Sequence, residues 1–158
     1  MKRDEIIKKA YELFGSFEKP VLLTCSNESD TDPESKDHDN SLKHTTCKTL
    51  SISQLGSVGY SPVPNFNSQA MAYFLPRLIE FAVQNVSDID NDPYAIRFIN
   101  SMLGGPHDKQ FKLLNSEQRQ IVYQALMHVK NNFYGIIETE CWEDDLEVAL
   151  AKWKTKDF

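Results

Sequence analysis

The sequence predicts an all-α protein, with a single compact domain over residues 1–158 and about five to seven helices around a buried, proline-interrupted central helix. Two observations support this. Several segments place apolar side chains three or four residues apart, which is the spacing of one helix face. One segment is apolar around nearly its whole circumference, as buried helices are. A chain of 158 residues is long enough to bury a core of its own.

The N-terminal third contains one clear helix. Its apolar stripe is ended by Gly15 and Pro20 and consists of Ile6, Ala10, Leu13, Phe14 and Phe17. Residues 20–25 fit either a buried extended piece or a short strand. Residues 27–40 contain no apolar side chain, so we predict a mobile acidic surface loop at about 27–43. One or two helical turns over 49–60 and an extended connector over 61–66 follow.

The central helix is predicted over residues 67–86, with Asn67 or Ser68 as its N-cap. Pro76 has no N–H to donate to the carbonyl of Ala72, so we expect a kink or a restart there. The apolar residues that surround this helix are Ala70, Met71, Tyr73, Phe74, Leu75, Leu78, Ile79, Phe81, Ala82 and Val83.

Three further helices are predicted in the C-terminal half. The first spans 92–103, with Asp92 as its cap and Pro93 at its first position. The second spans 115–133 and begins with Asn115 and Gln118, the spacing of a capping box. The third runs from about residue 140 to 154, with its acids in the first turns and its lysines at the end, as the helix dipole favours.

The negative charge is concentrated in two segments. The chain carries −6 overall, residues 27–40 carry −5 and residues 138–147 carry −6, so the remainder carries +5. A nucleic-acid-binding protein needs basic clusters, so we expect no direct contact with nucleic acid. No apolar run is long enough for a membrane span, the first residues lack the core of a signal peptide, and three cysteines cannot all pair. We therefore expect a cytoplasmic protein with a basic protein partner and no cofactor.

The partner surface is predicted at residues 138–147, called the acidic decamer below. Its candidate residues are Glu138, Glu140, Trp142, Glu143, Asp144, Asp145 and Glu147. A second candidate patch consists of Asp30, Asp32, Glu34 and Asp37. The alternative is that the decamer has only a structural role. Carboxylates at a helix N-terminus are stabilising, and runs of charge are commonly solvated faces.

Metal and catalytic sites are weaker alternatives. Residues 30–35 and 88–93 alternate acids with other residues but lack the glycine and the final glutamate of a calcium loop. Cys25, His38, His44 and Cys47 are suitable zinc ligands, but their spacing matches no common zinc finger. The His107-Asp108 pair follows Gly-Gly-Pro, which places it in a connector, and no nucleophile or phosphate-binding motif occurs. We predict no metal and no catalytic residue.

Three segments resemble a group of small bacterial helical proteins. They read PVLLTCSNES (20–29), NFNSQAMAYFLPRLIEFAV (65–83) and LLNSEQRQIVYQAL (113–126). Proteins of this group have an early cysteine and acids, then a central helix with an aromatic-aromatic-Leu-Pro core, then a helix introduced by a Gln-Arg turn. The resemblance covers roughly residues 20–130 and consists of core residues, so it implies the fold more than the function.

Some members of this group are immunity proteins of contact-dependent growth-inhibition systems. The resemblance implies a non-enzymatic protein that neutralises a cationic toxin domain, such as a nuclease, by blocking its active site. The acidic decamer lies outside the similar region, which suits a surface specific for one toxin. A helical housekeeping or regulatory protein with another basic partner, and a metal-dependent hydrolase, remain the alternatives.

Overall fold

The computed structural model describes residues 1–24 and 32–154, and this part of the chain contains α-helices and 3-10 helices but no β-strand. The predicted all-α class is therefore confirmed. The helices are α1 (Arg3–Phe14), α2 (Pro33–Ser41), α3 (Ser68–Gln84), α4 (Tyr94–Met102), α5 (Ser116–Thr139) and α6 (Glu143–Trp153). Short 3-10 helices span Ile52–Leu55, Val58–Tyr60, Val63–Asn65 and Lys109–Phe111.

Helix α3 is the centre of the domain. It packs against α1, α4, α5 and the 3-10 helix at Lys109–Phe111, while α6 packs against α4 and α5. Asn67 caps α3 as predicted, since its side-chain Oδ1 accepts the N–H of Ala70 at 2.9 Å. The helix continues through Pro76 without a break. The proline therefore removes one backbone hydrogen bond, because its nitrogen has no N–H to donate, but it does not end the helix.

The prediction of a mobile acidic loop over residues 27–43 is wrong for most of that range, because residues Pro33–Ser41 form α2. Asp32 is the N-cap and Pro33 occupies the first helical position, a combination that favours a helix start. The helix is held by polar contacts. Asp39 accepts the backbone N–H of Leu23 at 2.8 Å and the hydroxyl of Thr24 at 2.9 Å. Residues 27–31 of the predicted loop lie outside the described residues.

Three other predicted boundaries differ from the structure. Helix α5, predicted to end at residue 133, bends at Phe133 and continues to Thr139. The connector predicted as extended over 61–66 contains the 3-10 helix Val63–Asn65. Asp92 does not cap α4, because that helix begins at Tyr94 with Pro93 as its N-cap residue. The carbonyl of Asp92 instead accepts the N–H of Asp88 at 2.9 Å, in a turn that precedes α4.

Candidate functional site

The acidic decamer spans the junction of two helices, and not the start of a single helix from about residue 140 as predicted. Helix α5 extends to Thr139 and α6 begins at Glu143. Cys141 adopts a left-handed conformation with φ of 59°. Its N–H donates to the carbonyl of Glu138 at 3.0 Å, and the N–H of Trp142 donates to the carbonyl of Ile137 at 2.9 Å. These two bonds form a Schellman motif, which ends α5 and reverses the chain.

Most of the decamer's carboxylates form no ion pair with a cation of residues 1–24 or 32–154. Glu147 forms an ion pair with Lys130 of α5, and this contact raises the pKa of the Lys130 ammonium. Within the described part of the chain, no such pair forms with the other five: Glu138, Glu140, Glu143, Asp144 and Asp145. The decamer therefore presents a concentrated negative charge that the described residues do not neutralise.

Glu143 has a further property. Its Oε2 atom is shielded from solvent and accepts no hydrogen bond from the described residues. A buried acceptor without a donor costs about 1–3 kcal/mol. This cost offsets part of the stabilisation that the dipole of α6 gives to an acid in its first turn.

The two tryptophans differ in their surroundings. Trp153 is 1% exposed, its Nε1–H donates to the carbonyl of Met102 at 2.8 Å, and its ring packs edge-on against Phe111. Trp142 is half-buried and packs one side against the core. Among the described residues, no aromatic ring or cation stacks on Trp142 and no acceptor binds its indole N–H.

Trp142 and Glu140 line a groove that the sequence did not predict. This cavity of about 230 Å³, called the α4 groove below, lies between residues 58–64, residues 92–101 and the junction at 140–142. Its apolar lining includes Val58, Pro64, Pro93 and Ile96, and its exposed acids are Asp92 and Glu140. The groove thus joins part of the acidic decamer to the start of α4.

The buried guanidinium of Arg97 supports one wall of the α4 groove. It donates to the carbonyls of Leu55 and Gly56, both at 2.8 Å, and to Oδ2 of Asp88 at 3.3 Å. These bonds hold residues 55–56, which precede the groove segment 58–64, against α4. Gly56 has φ of 61°, and a Cβ atom there would lie 2.5 Å from the carbonyl oxygen of Tyr60, so only glycine fits this path.

The carboxylates of Asp88, Asp90 and Asp92 converge within 4.8 Å, at one of the two segments considered for calcium. Asp88 is buried and its oxygens are already bonded. Oδ1 accepts the N–H groups of Asp90 and Asp92 at 2.8 and 3.0 Å, while Oδ2 accepts from Arg97. A hydrogen-bonded turn around Asp88 therefore accounts for the convergence. The other two acids, Asp90 and Asp92, are exposed.

The second candidate patch is tied into the fold. Asp32 caps α2, and a bond from the Ser35 hydroxyl lowers the pKa of its carboxyl. Asp37 accepts the hydroxyl of Tyr60 at 2.7 Å, and Glu34 lies 3.4 Å from the ring nitrogen of His38. Asp30 of this patch lies outside the described residues. Each described acid of this patch therefore has a contact within the fold, unlike most acids of the decamer.

The proposed zinc ligands do not converge as far as the structure describes them. His38 is buried against the ring of Tyr60, with 4.8 Å between ring centroids, and His44 is exposed. Burial raises the pKa of the half-buried Cys47 thiol to about 11, which disfavours the thiolate that binds metals. These three residues do not bring their donor atoms within 4.8 Å of one another, and Cys25 lies outside the described residues.

His107 and Asp108, considered for catalysis, lie apart from the other described histidines and cysteines that border cavities. His107 is exposed, and Asp108 caps the 3-10 helix Lys109–Phe111 by accepting the N–H of Gln110 at 3.0 Å. His128 lies on α5, where partial burial lowers its pKa. His128 borders a cavity of about 440 Å³ beside Lys2 and Arg3, and Cys47 borders one of about 350 Å³ beside aromatic residues of α1.

None of the described helices is long and apolar enough to cross a membrane. Comparison of the chain with protein-family models, with curated proteins and with solved structures found no match.

Proposed function

We propose that this chain is a non-enzymatic immunity protein, which binds a cationic toxin domain such as a nuclease through the acidic decamer and blocks its active site. Two features of the decamer support this proposal. Five carboxylates have no cation partner within the described chain, and Trp142 beside them exposes part of its ring. Such a surface combines electrostatic attraction with an aromatic anchor, and this combination gives fast association and affinity at protein interfaces.

The position of two acids argues most strongly for a partner. Glu138 lies in the last turn of α5, and Glu140 is its C-cap residue. The C-terminus of a helix carries the negative end of the helix dipole, so acids there are unfavourable for folding. The dipole of α6 accounts for Glu143, Asp144 and Asp145, which occupy its first turn. It does not account for the acids that end α5.

The genomic neighbourhood provides the first test. An immunity gene is expected directly downstream of a gene for a very large secreted protein with a variable C-terminal domain. Expression of that C-terminal domain alone should stop bacterial growth, and coexpression of this chain should restore it. Normal growth without this chain, or arrest despite its presence, would refute the proposal.

The role of the decamer is tested by replacing Glu143, Asp144 and Asp145 with the corresponding amides. Each acid in the first turn of α6 contributes only about 0.3–1 kcal/mol through the helix dipole, so the fold should persist. Association with the toxin domain should slow and lose much of its salt dependence, because the long-range attraction is screened over about 8 Å at physiological ionic strength. Stopped-flow association at two salt concentrations measures both effects.

A matched control removes three exposed carboxylates elsewhere. Glu12 and Glu18 lie on or after α1, and Glu117 lies in the first turn of α5. Their conversion to glutamine changes the net charge equally but leaves the decamer intact. An equal loss of association rate in both triple variants would show that only the net charge matters, and the decamer would not be the binding surface.

A further inference from the structure

We infer that the α4 groove receives an arginine side chain of the protein partner; this inference rests on the proposed function and specifies what the partner inserts. The groove lies next to the decamer and shares Glu140 and Trp142 with it. A partner that binds the decamer therefore lies close enough to insert a side chain into the groove, and this chain need not change its conformation.

The size of the groove favours a single side chain. Its volume is about 230 Å³, whereas pockets for drug-sized ligands and cofactors span about 300–1,000 Å³. The walls suit a long side chain with an apolar stem, since Val58, Pro93 and Ile96 contribute hydrocarbon surface. Arginine and lysine bury such stems along apolar surfaces while the charged group stays near polar atoms.

The charges of the groove favour a cation. Asp92 and Glu140 are both exposed, and neither carboxylate accepts a hydrogen bond or forms an ion pair within the described chain. The cation already present, Arg97, is neutralised by Asp88 and directs two bonds to backbone carbonyls. A second cation would therefore meet two free carboxylates contributed by different elements.

The open ring of Trp142 distinguishes arginine from lysine. Arg77 stacks on Phe81 at 4.7 Å and Arg97 on Tyr94 at 5.6 Å, whereas no cation covers Trp142 in the described chain. Tryptophan is the strongest aromatic partner of a cation. The planar guanidinium can stack on this ring and still donate to a carboxylate in two bonds, which a lysine ammonium cannot do.

The test uses nuclear magnetic resonance on the full chain, titrated with the capped tripeptide acetyl-Gly-Arg-Gly-amide. The indole N–H signal of Trp142 should shift with saturation, and that of the buried Trp153 should not move. The matching lysine peptide should bind at least threefold more weakly, and the leucine peptide should not shift the Trp142 signal. An unmoved Trp142 signal, or equal binding of the lysine or leucine peptide, would overturn the assignment of arginine.

Two double variants locate the site. Asp92→Asn with Glu140→Gln should weaken the arginine peptide at least fivefold. Glu138→Gln with Asp144→Asn removes the same charge outside the groove and should weaken it less than twofold. Equal losses in both variants would overturn the inference. If the peptide fails to bind while the chain still protects cells from the toxin, the groove inference alone is wrong. If the peptide binds but the chain does not protect cells from the toxin, the groove inference is supported and the proposed immunity function is refuted.

Discussion

Replacement of Arg97 by methionine should destabilise the domain strongly, although it keeps most of the volume of the side-chain stem. The Arg97 side chain is 9% exposed, and its guanidinium donates to the carbonyls of Leu55 and Gly56 and to the buried carboxylate of Asp88. Breaking a buried ion pair from one side costs about 3–5 kcal/mol, because the other charge remains buried without its partner. In a domain of 150–250 residues, 1 kcal/mol changes the melting temperature by about 2–4 °C. We therefore expect a decrease of roughly 6–20 °C.

Urea unfolding, followed by tryptophan fluorescence, measures the loss. Arg3→Met is the matched control, because that side chain is more than half exposed, and it should change stability by less than about 0.5 kcal/mol. Adding Asp88→Asn to Arg97→Met should recover part of the loss, since the amide removes the buried charge and its Oδ1 still accepts the N–H groups of the turn. A loss below about 1 kcal/mol for Arg97→Met, or a double variant less stable than the single one, would refute this account of the buried pair.

Three further outcomes follow from individual contacts. Cys47, whose pKa burial raises to about 11, should react with iodoacetamide more slowly at neutral pH than the exposed Cys141, as peptide mass spectrometry can quantify. Burial lowers the pKa of His128, so the unfolded chain binds this proton more readily. Stability should fall as the pH drops below about 6.5, and chemical denaturation of the wild type against His128→Gln should show a weaker pH dependence in the variant. Asp39→Ala should lower the free energy of unfolding by about 1.5–3 kcal/mol, because it removes the charged acceptor of Leu23 and Thr24. Amide hydrogen exchange should then increase in α2 more than in α3. Asp39→Asn should cost less stability than Asp39→Ala.

The apolar helices could be predicted from the sequence because burial imposes a period on them. Helices α1, α3 and α5 present their stripes to one core, and the caps at Asn67 and Asn115 are local signals. Helix α2 escaped prediction because polar contacts hold it in place. Its start carries the Asp-Pro pair at residues 32–33 that signals a helix N-terminus. The same pair at Asp92 and Pro93 has another role, because Asp92 completes the turn of Asp88.

The acids of the decamer could be identified from composition, but their arrangement could not. The sequence predicts Glu140 and Trp142 on one helix that begins at about residue 140, whereas the left-handed Cys141 separates two helices. Non-glycine residues adopt this conformation uncommonly, so nothing in the local sequence indicates the reversal. The α4 groove depends on three segments distant in the chain, and Arg97 joins two of them through backbone carbonyls that every residue type offers.

The Schellman turn at Cys141 has a consequence for how this surface can evolve. Its two hydrogen bonds join backbone groups only, from Cys141 to Glu138 and from Trp142 to Ile137. The direction in which α6 leaves α5 therefore does not depend on which side chains the junction displays. Substitutions at the exposed positions can alter the charge pattern while the chain path is kept, so few mutations can change the electrostatics of this surface. Glycine at position 141 would relieve the left-handed backbone and make the junction more tolerant of such changes.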